Sequence, residues 1–343
     1  MKAVEYEGGQ HLVMGNREPV TPGSSGVRIR VAYGGICGTD LHLVHGAMDH
    51  RVTLPHVMGH EMSGVIESVG QEVTRFHPGD HVTVMPLLPC DSCPTCHSGY
   101  RHICPNLRFM GIETPGAFQE LWTVPESVVY PLPSDLPLRL GALVEPLAVA
   151  CHDVRRSELQ RGEYVVVLGG GPIGALIAMV VRSRGARVLV AEINPYRLSL
   201  LKSLGIDVID PGQTDISESV LADTGGRGAD VVFEVTSSTL GAKLMTDLAR
   251  PRGRIVVVAI FPAPPPVDLH RVFWRELQIR GTRVYEPEDF REAIQIAASS
   301  AQPLEKLISE EFPLEQLGEA ISHLKGGGGV MKVLIQCDPL AGN

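Results

Sequence analysis

Residues 164–174 restrict the fold more than any other stretch: the apolar run Tyr164–Leu168 is followed by Gly169-Gly170-Gly171-Pro172-Ile173-Gly174 and then by the long apolar segment Pro172–Ser183. A short apolar run bounded by glycine reads as a buried strand, and the longer segment behind it as a helix. The glycines satisfy G-x-G-x-x-G between strand and helix. They permit a tight turn and close backbone approach, while the helix start offers free N–H groups and the positive end of its dipole to a pyrophosphate. Gly169, Gly171, Pro172, Ile173 and Gly174 are therefore predicted to cradle a dinucleotide. The next strand ends at Glu192, roughly 20 residues beyond the first glycine, where a ribose-binding acid is expected. Such a carboxylate accepts hydrogen bonds from both ribose hydroxyls and repels a 2′-phosphate, so NAD is expected; Arg197 nearby leaves room for NADP as well.

The alternation continues through Val188–Ala191, Pro195–Leu204, Asp230–Glu234, Leu240–Leu248 and Arg254–Ala259, which predicts an α/β unit with a parallel sheet. A rigid Pro262–Pro266 stretch, a strand around Leu277–Gly281 and a helix over Pro287–Ser299 follow. Earlier in the chain, short Val- and Ile-rich runs such as Val27–Val31 and Val65–Val69, broken by Gly and Pro, predict a β-rich domain. A last strand, Val330–Ile335, is expected after a four-glycine turn, Gly326–Gly329. At 343 residues the chain exceeds the usual size of one core, so two domains are expected.

A net charge of -9 with no long Lys/Arg run argues against nucleic acid or an anionic membrane as partner, and favours a small molecule. The first fourteen residues hold no apolar core of leader length, and the most apolar run, Ile173–Val181, is too short to cross a bilayer. Cytoplasmic residence is the expectation.

Seven cysteines, an odd number with four of them between positions 90 and 104, point to metal rather than disulfides. Cys90, Cys93, Cys96 and Cys104 suffice for a closed tetrahedral site of four thiolates, the arrangement of structural zinc. Cys104-Pro105 echoes the end of an iron–sulfur run, but seven residues before the last cysteine is too long for that pattern. Cys37-Gly38-Thr39-Asp40-Leu41-His42 and Gly59-His60-Glu61 add one more cysteine, the histidines His42 and His60 and the carboxylate of Glu61 in the β-rich half, which suggests a second, open zinc site. Cys151 and Cys337 receive no role.

These motifs, with Glu145-Pro146-Leu147-Ala148-Val149, follow one another as in the zinc-containing medium-chain dehydrogenases, and the chain resembles their sorbitol, idonate and related polyol members over essentially its whole length. The resemblance implies a GroES-like β-barrel catalytic domain from residues 1–150 and 285–343, an inserted Rossmann NAD-binding domain from residues 151–284, and an active site in the cleft between them. It implies that Cys37, His60 and Glu61 bind the catalytic zinc, with Glu145 where alcohol dehydrogenases place a second cysteine, and leaves open whether Glu61, Glu145 or water completes the sphere. It also implies two zinc ions per chain, a proton path from the alcohol through Thr39 and the cofactor ribose to His42, and a homo-oligomer, dimer or tetramer. The reaction so implied is oxidation of a secondary alcohol of a polyol or sugar-derived substrate to a ketone. L-Threonine and 2,3-butanediol are alternative substrates, and a catalytically inactive zinc-stabilised binding protein is the alternative of a different class.

Polyol enzymes of this kind carry an aromatic after the histidine matching His42, where this chain has Leu43, and an Arg-Tyr pair where it has Arg283-Val284-Tyr285. Tyr285 is thus a candidate substrate contact. On a strand, the one-residue shift of Arg283 turns its side chain to the other face, which predicts an altered pocket.

Overall fold

The computed structural model describes residues 1–326 and 329–342, so Gly327 and Gly328 of the expected glycine turn lie outside the described residues. The chain forms two compact units, one from Met1–Glu145 with Phe290–Asn343, the other from Pro146–Asp289.

In the second unit six parallel strands lie in the order Asp207–Ile209, Arg187–Ala191, Tyr164–Leu168, Ala229–Glu234, Ala249–Val257, Gln278–Gly281. The first strand in the chain is central, and the later ones are added to its left and then to its right. The order therefore reverses beside Tyr164–Leu168, the switch point at which such sheets bind ligands beyond the strand ends. All five residues of that strand are buried, as its unbroken apolar run requires. Helices start where the local chemistry supplies an end group: Asn194 accepts from the Arg197 amide at 3.2 Å with Pro195 in the first turn, and Ser238 accepts from Gly241 at 2.9 Å.

The first unit is built around the strand Gly26–Gly35, which pairs antiparallel with Glu61–Val69, Leu121–Pro125 and Lys332–Gln336. Its core includes Tyr6, Ile29, Phe118, Trp122 and Ile335, all buried. Because Leu334 faces Gly35 on one side and Glu61 faces it on the other, the end of the chain is stitched next to its early part.

The expected strands Val27–Val31 and Val65–Val69 are the apolar parts of longer ones, Gly26–Gly35 and Glu61–Val69. The strand Asp207–Ile209 and the helix Ile216–Asp223 have no counterpart in the sequence expectation. One expectation is corrected: Arg283–Tyr285 lie beyond the strand Gln278–Gly281, with Val284 in the left-handed region at φ 48°, so strand alternation does not govern Arg283. Among the described residues no helix is long and apolar enough to cross a membrane.

Candidate active site

Cys37 caps the N-terminus of the helix Gly38–Val44, where its amide donates to Asp40 Oδ2 at 2.8 Å. His60 and Glu61 stand at the start of Glu61–Val69, the strand paired with the one that leads into Cys37. The pairing brings the possible ligand atoms of Cys37, His60 and Glu61 within 4.8 Å of one another. His60 and Glu61 are buried, and Phe109 stands edge-on to the imidazole with centroids 5.2 Å apart.

The electrostatics of this group are those of an anion surplus. Burial disfavours a charged His60, but Asp40, then Cys37 and Glu145, outweigh it and hold its pKa at about 10. Burial likewise pushes the Asp40 carboxyl above its usual value, opposed by His60 and by the Cys37 amide. The His60 Nδ1 atom is buried without a hydrogen-bond partner, with Asp40 Oδ1 3.8 Å away. A thiol, an imidazole and a carboxylate, the last two buried, are a donor set suited to zinc, with Asp40 placed to orient the imidazole from behind.

Glu145 occupies the first turn of the helix Val144–Arg156 and is buried. It lies outside the three-residue set that meets within 4.8 Å, yet its charge raises the pKa of both His60 and Lys332. Thr39 Oγ1 accepts from Cys37 Sγ at 3.7 Å. His42, three residues on and so on the same helix face, is exposed. Leu43 is fully buried.

The four-cysteine loop closes on itself. Cys104 Sγ lies 3.5 Å from Cys90 Sγ and 3.8 Å from Cys93 Sγ, and all four sulfurs fall within 4.8 Å of one another. Four thiolates around one zinc would be about 3.8 Å apart, given a metal–sulfur bond of about 2.3 Å and tetrahedral angles. All four are free cysteines. N–H groups already point at the sulfurs: Cys96 N to Cys93 at 3.4 Å, Asn106 N to Cys104 at 3.3 Å, and Asn106 Nδ2 to Cys90 at 3.7 Å. Bonds from Ser92, Asn106 and Cys104 draw the Cys90 thiol down to about 5, whereas burial, with the neighbouring thiols, pushes Cys96 up to about 12.

In the second unit the glycine turn has the shape that a pyrophosphate needs. Gly169 takes φ 101°, and a Cβ on Gly174 would stand 1.9 Å from the Gly169 carbonyl oxygen, so neither position admits a side chain. Gly171 is the N-cap of Pro172–Ser183 and gives no side-chain cap; a Cβ there would meet only Arg197, at 3.5 Å. Glu192 sits beneath this turn and accepts from Gly170 N at 2.9 Å, Ile193 N at 2.7 Å and Asn194 N at 2.8 Å, with Arg197 Nη1 3.7 Å away. It thus braces the loop. Tyr285, the candidate substrate contact, is fully buried.

Three features escaped the sequence reading. Asp40 had a signal, an acid three residues after Cys37 at a helix start. Lys332 had none: its buried ammonium donates to the Ile36 carbonyl, 296 residues away, at 2.9 Å and forms an ion pair with Glu61. His152, Glu286 and Asp289 also gather, but Arg155 supplies the cation there, bonding Asp289 Oδ1 at 2.7 Å and Oδ2 at 2.9 Å, with His152 Nδ1 2.8 Å from the same carboxylate.

Residues 23–134 match the alcohol dehydrogenase GroES-like domain, and residues 172–299 the zinc-binding dehydrogenase domain. The 2-dehydro-3-deoxy-L-galactonate 5-dehydrogenase of Pseudoalteromonas atlantica is 48% identical, over 98% of this chain and 99% of its own. The chain belongs to the zinc-containing medium-chain dehydrogenases. Sorbitol dehydrogenase of Halalkalibacterium halodurans is 32% identical over 98% of this chain and 100% of that one. A zinc-binding dehydrogenase of Sinorhizobium meliloti, solved with NADP bound, superposes with a TM-score of 0.93 at 31% identity, over 98% of each chain. This dehydrogenase is therefore an oxidoreductase of the polyol-dehydrogenase-like branch, with a GroES-like and a Rossmann domain, that works with zinc and a nicotinamide cofactor.

Proposed function

We propose that the dehydrogenase oxidises a secondary alcohol of a sugar acid to a ketone, with NAD as the preferred acceptor and two zinc ions per chain. The observation that carries the reading is the group of half-buried Cys37 with buried His60 and Glu61, whose mixed ligands and anion surplus suit a metal that also has to receive substrate. Cys37 and His60 would hold the catalytic zinc together with Glu61 or Glu145, and Cys90, Cys93, Cys96 and Cys104 the structural one. When bound, such a zinc acidifies a coordinated alcohol and the nicotinamide takes up the hydride. The protein's own residues do the rest. Asp40 orients His60, and Thr39 beside Cys37 is placed to take up the alcohol proton. His42, exposed one turn further along, is placed to pass a proton to solvent.

The sugar-acid assignment is supported by the relative that is 48% identical along nearly the whole chain and is named for 2-dehydro-3-deoxy-L-galactonate. Preference for NAD is supported by Glu192, whose carboxylate beneath the glycine turn would repel a 2′-phosphate, although Arg197 beside it tempers that repulsion. Self-association is supported by the edge strand Gln278–Gly281, which follows the exposed Leu269, Phe273 and Trp274. The test is an assay of the zinc-loaded protein with 2-dehydro-3-deoxy-L-galactonate, sorbitol, 2,3-butanediol and L-threonine, each with NAD and NADP. The sugar acid with NAD should give the highest kcat/KM. Faster turnover of threonine or butanediol would move the substrate class, and no nicotinamide reduction with any would reject the proposed reaction.

A further inference from the structure

We propose that Lys332 is a positioning residue for the metal site, and that it acts by holding one side of the Glu61 carboxylate. The inference rests on the zinc reading above. It starts from sheet order: Lys332–Gln336, Gly26–Gly35 and Glu61–Val69 are neighbours, with Gly35 on the middle strand. A Cβ at Gly35 would lie 2.2 Å from Glu61 Oε2 and 3.1 Å from Lys332 Cε. Only glycine leaves the gap through which side chains from the two outer strands meet. Both partners are buried, Lys332 at 5% exposure and Glu61 at 1%, and the ammonium also holds the Ile36 carbonyl next to Cys37. Buried charges persist only when paired, so the contact has to be maintained by the fold.

The charge count gives the pair its role. Cys37 as thiolate, Asp40, Glu61 and Glu145 bring up to four negative charges, of which a divalent cation balances two. Lys332 supplies the third positive charge. With one oxygen of Glu61 engaged by the ammonium, the carboxylate pulls less on the metal, and a coordination position stays open to an alcohol. Without Lys332, Glu61 has the metal as its nearest cation and should clamp it.

The test is the rate at which the catalytic zinc passes to excess EDTA, measured for wild type, Lys332→Met, Glu61→Gln and the double variant, alongside kcat and KM. Lys332→Met should release zinc about tenfold more slowly, within the coupling range of groups in contact. Its kcat should fall while KM for NAD stays put. Glu61→Gln should release zinc faster, and the double variant should match Glu61→Gln, because Lys332 then has no carboxylate left to hold. An unchanged release rate in Lys332→Met, or effects of the two substitutions that simply multiply, would overturn the proposal. If Lys332→Met does not fold but the double variant does, the charge pair is supported; if neither folds, Lys332 is a packing element and the proposal fails. If Cys37→Ser leaves the zinc content unchanged, it is the zinc reading that fails instead.

Discussion

The loop from Cys90 to Cys104 and the group around Cys37 both collect anionic side chains, but the chain assembles them in opposite ways. In the loop every ligand comes from one segment, with the outermost cysteines 14 positions apart, all four are thiols, and backbone amides already point at them. Around Cys37 the groups come from a helix cap, the start of the strand Glu61–Val69 and the last strand of the chain, and they mix thiol, imidazole, carboxylate and ammonium. A site of the first kind stabilises the segment that makes it. A site of the second kind depends on a sheet already formed, and its unequal ligands leave room for a reacting group.

Substitutions can break this contrast. The largest effect is expected from Cys37→Ser, which should lower kcat/KM by about a thousandfold or more while the melting temperature hardly moves. Cys93→Ser should do the reverse, lowering the melting temperature by about 5 °C or more while the folded fraction keeps most of its activity. Calorimetry and initial rates on the same samples decide, and an exchange of the two outcomes would reverse the assignment of the sites. A smaller effect is expected from His42→Ala, about tenfold in kcat, with partial recovery on adding imidazole, if the exposed histidine hands the proton to solvent.

The smallest effect concerns a buried carboxylate placed differently from Glu61. Asp153 is fully buried, its Oδ2 has no hydrogen-bond partner, and burial pushes its pKa from 3.8 up to about 8 even though Thr282 donates to its other oxygen. The folded state therefore prefers the protonated acid. The stability this confers is complete below pH 3.8 and is lost as the pH rises toward about 8. Asp153→Asn, which cannot ionise, should exceed wild type by about 1 kcal/mol or more at pH 8, with a narrower gap at pH 5. Urea midpoints at the two pH values measure it; a gap that does not grow with pH would mean that Asp153 is ionised at little cost.

The same contrast explains what the sequence made legible. The four-cysteine loop and the glycine turn are local, so spacing alone revealed them, and Asp40 stands only three residues from Cys37. The meeting of Lys332 with Glu61 is created by strand order and by the missing side chain of Gly35, neither of which leaves a local mark. The unit changeovers at Glu145 and Asp289 fall inside continuous helices, Val144–Arg156 and Pro287–Ser299, so the texture of the sequence does not change there. Strand alternation misled at Arg283 because the backbone leaves the sheet at Gly281 and turns left-handed at Val284. Asp207–Ile209 is too short to show a period.

The proposed function divides labour between a closed structural zinc and an open catalytic one. Its most direct test is zinc content per chain, measured with NAD reduction by 2-dehydro-3-deoxy-L-galactonate, in wild type and Cys37→Ser. Wild type should hold two zinc ions and turn over, and Cys37→Ser should hold one zinc ion, keep its fold and show no turnover. A Cys37→Ser protein that keeps both ions, or that still oxidises the sugar acid at the wild-type rate, would contradict it.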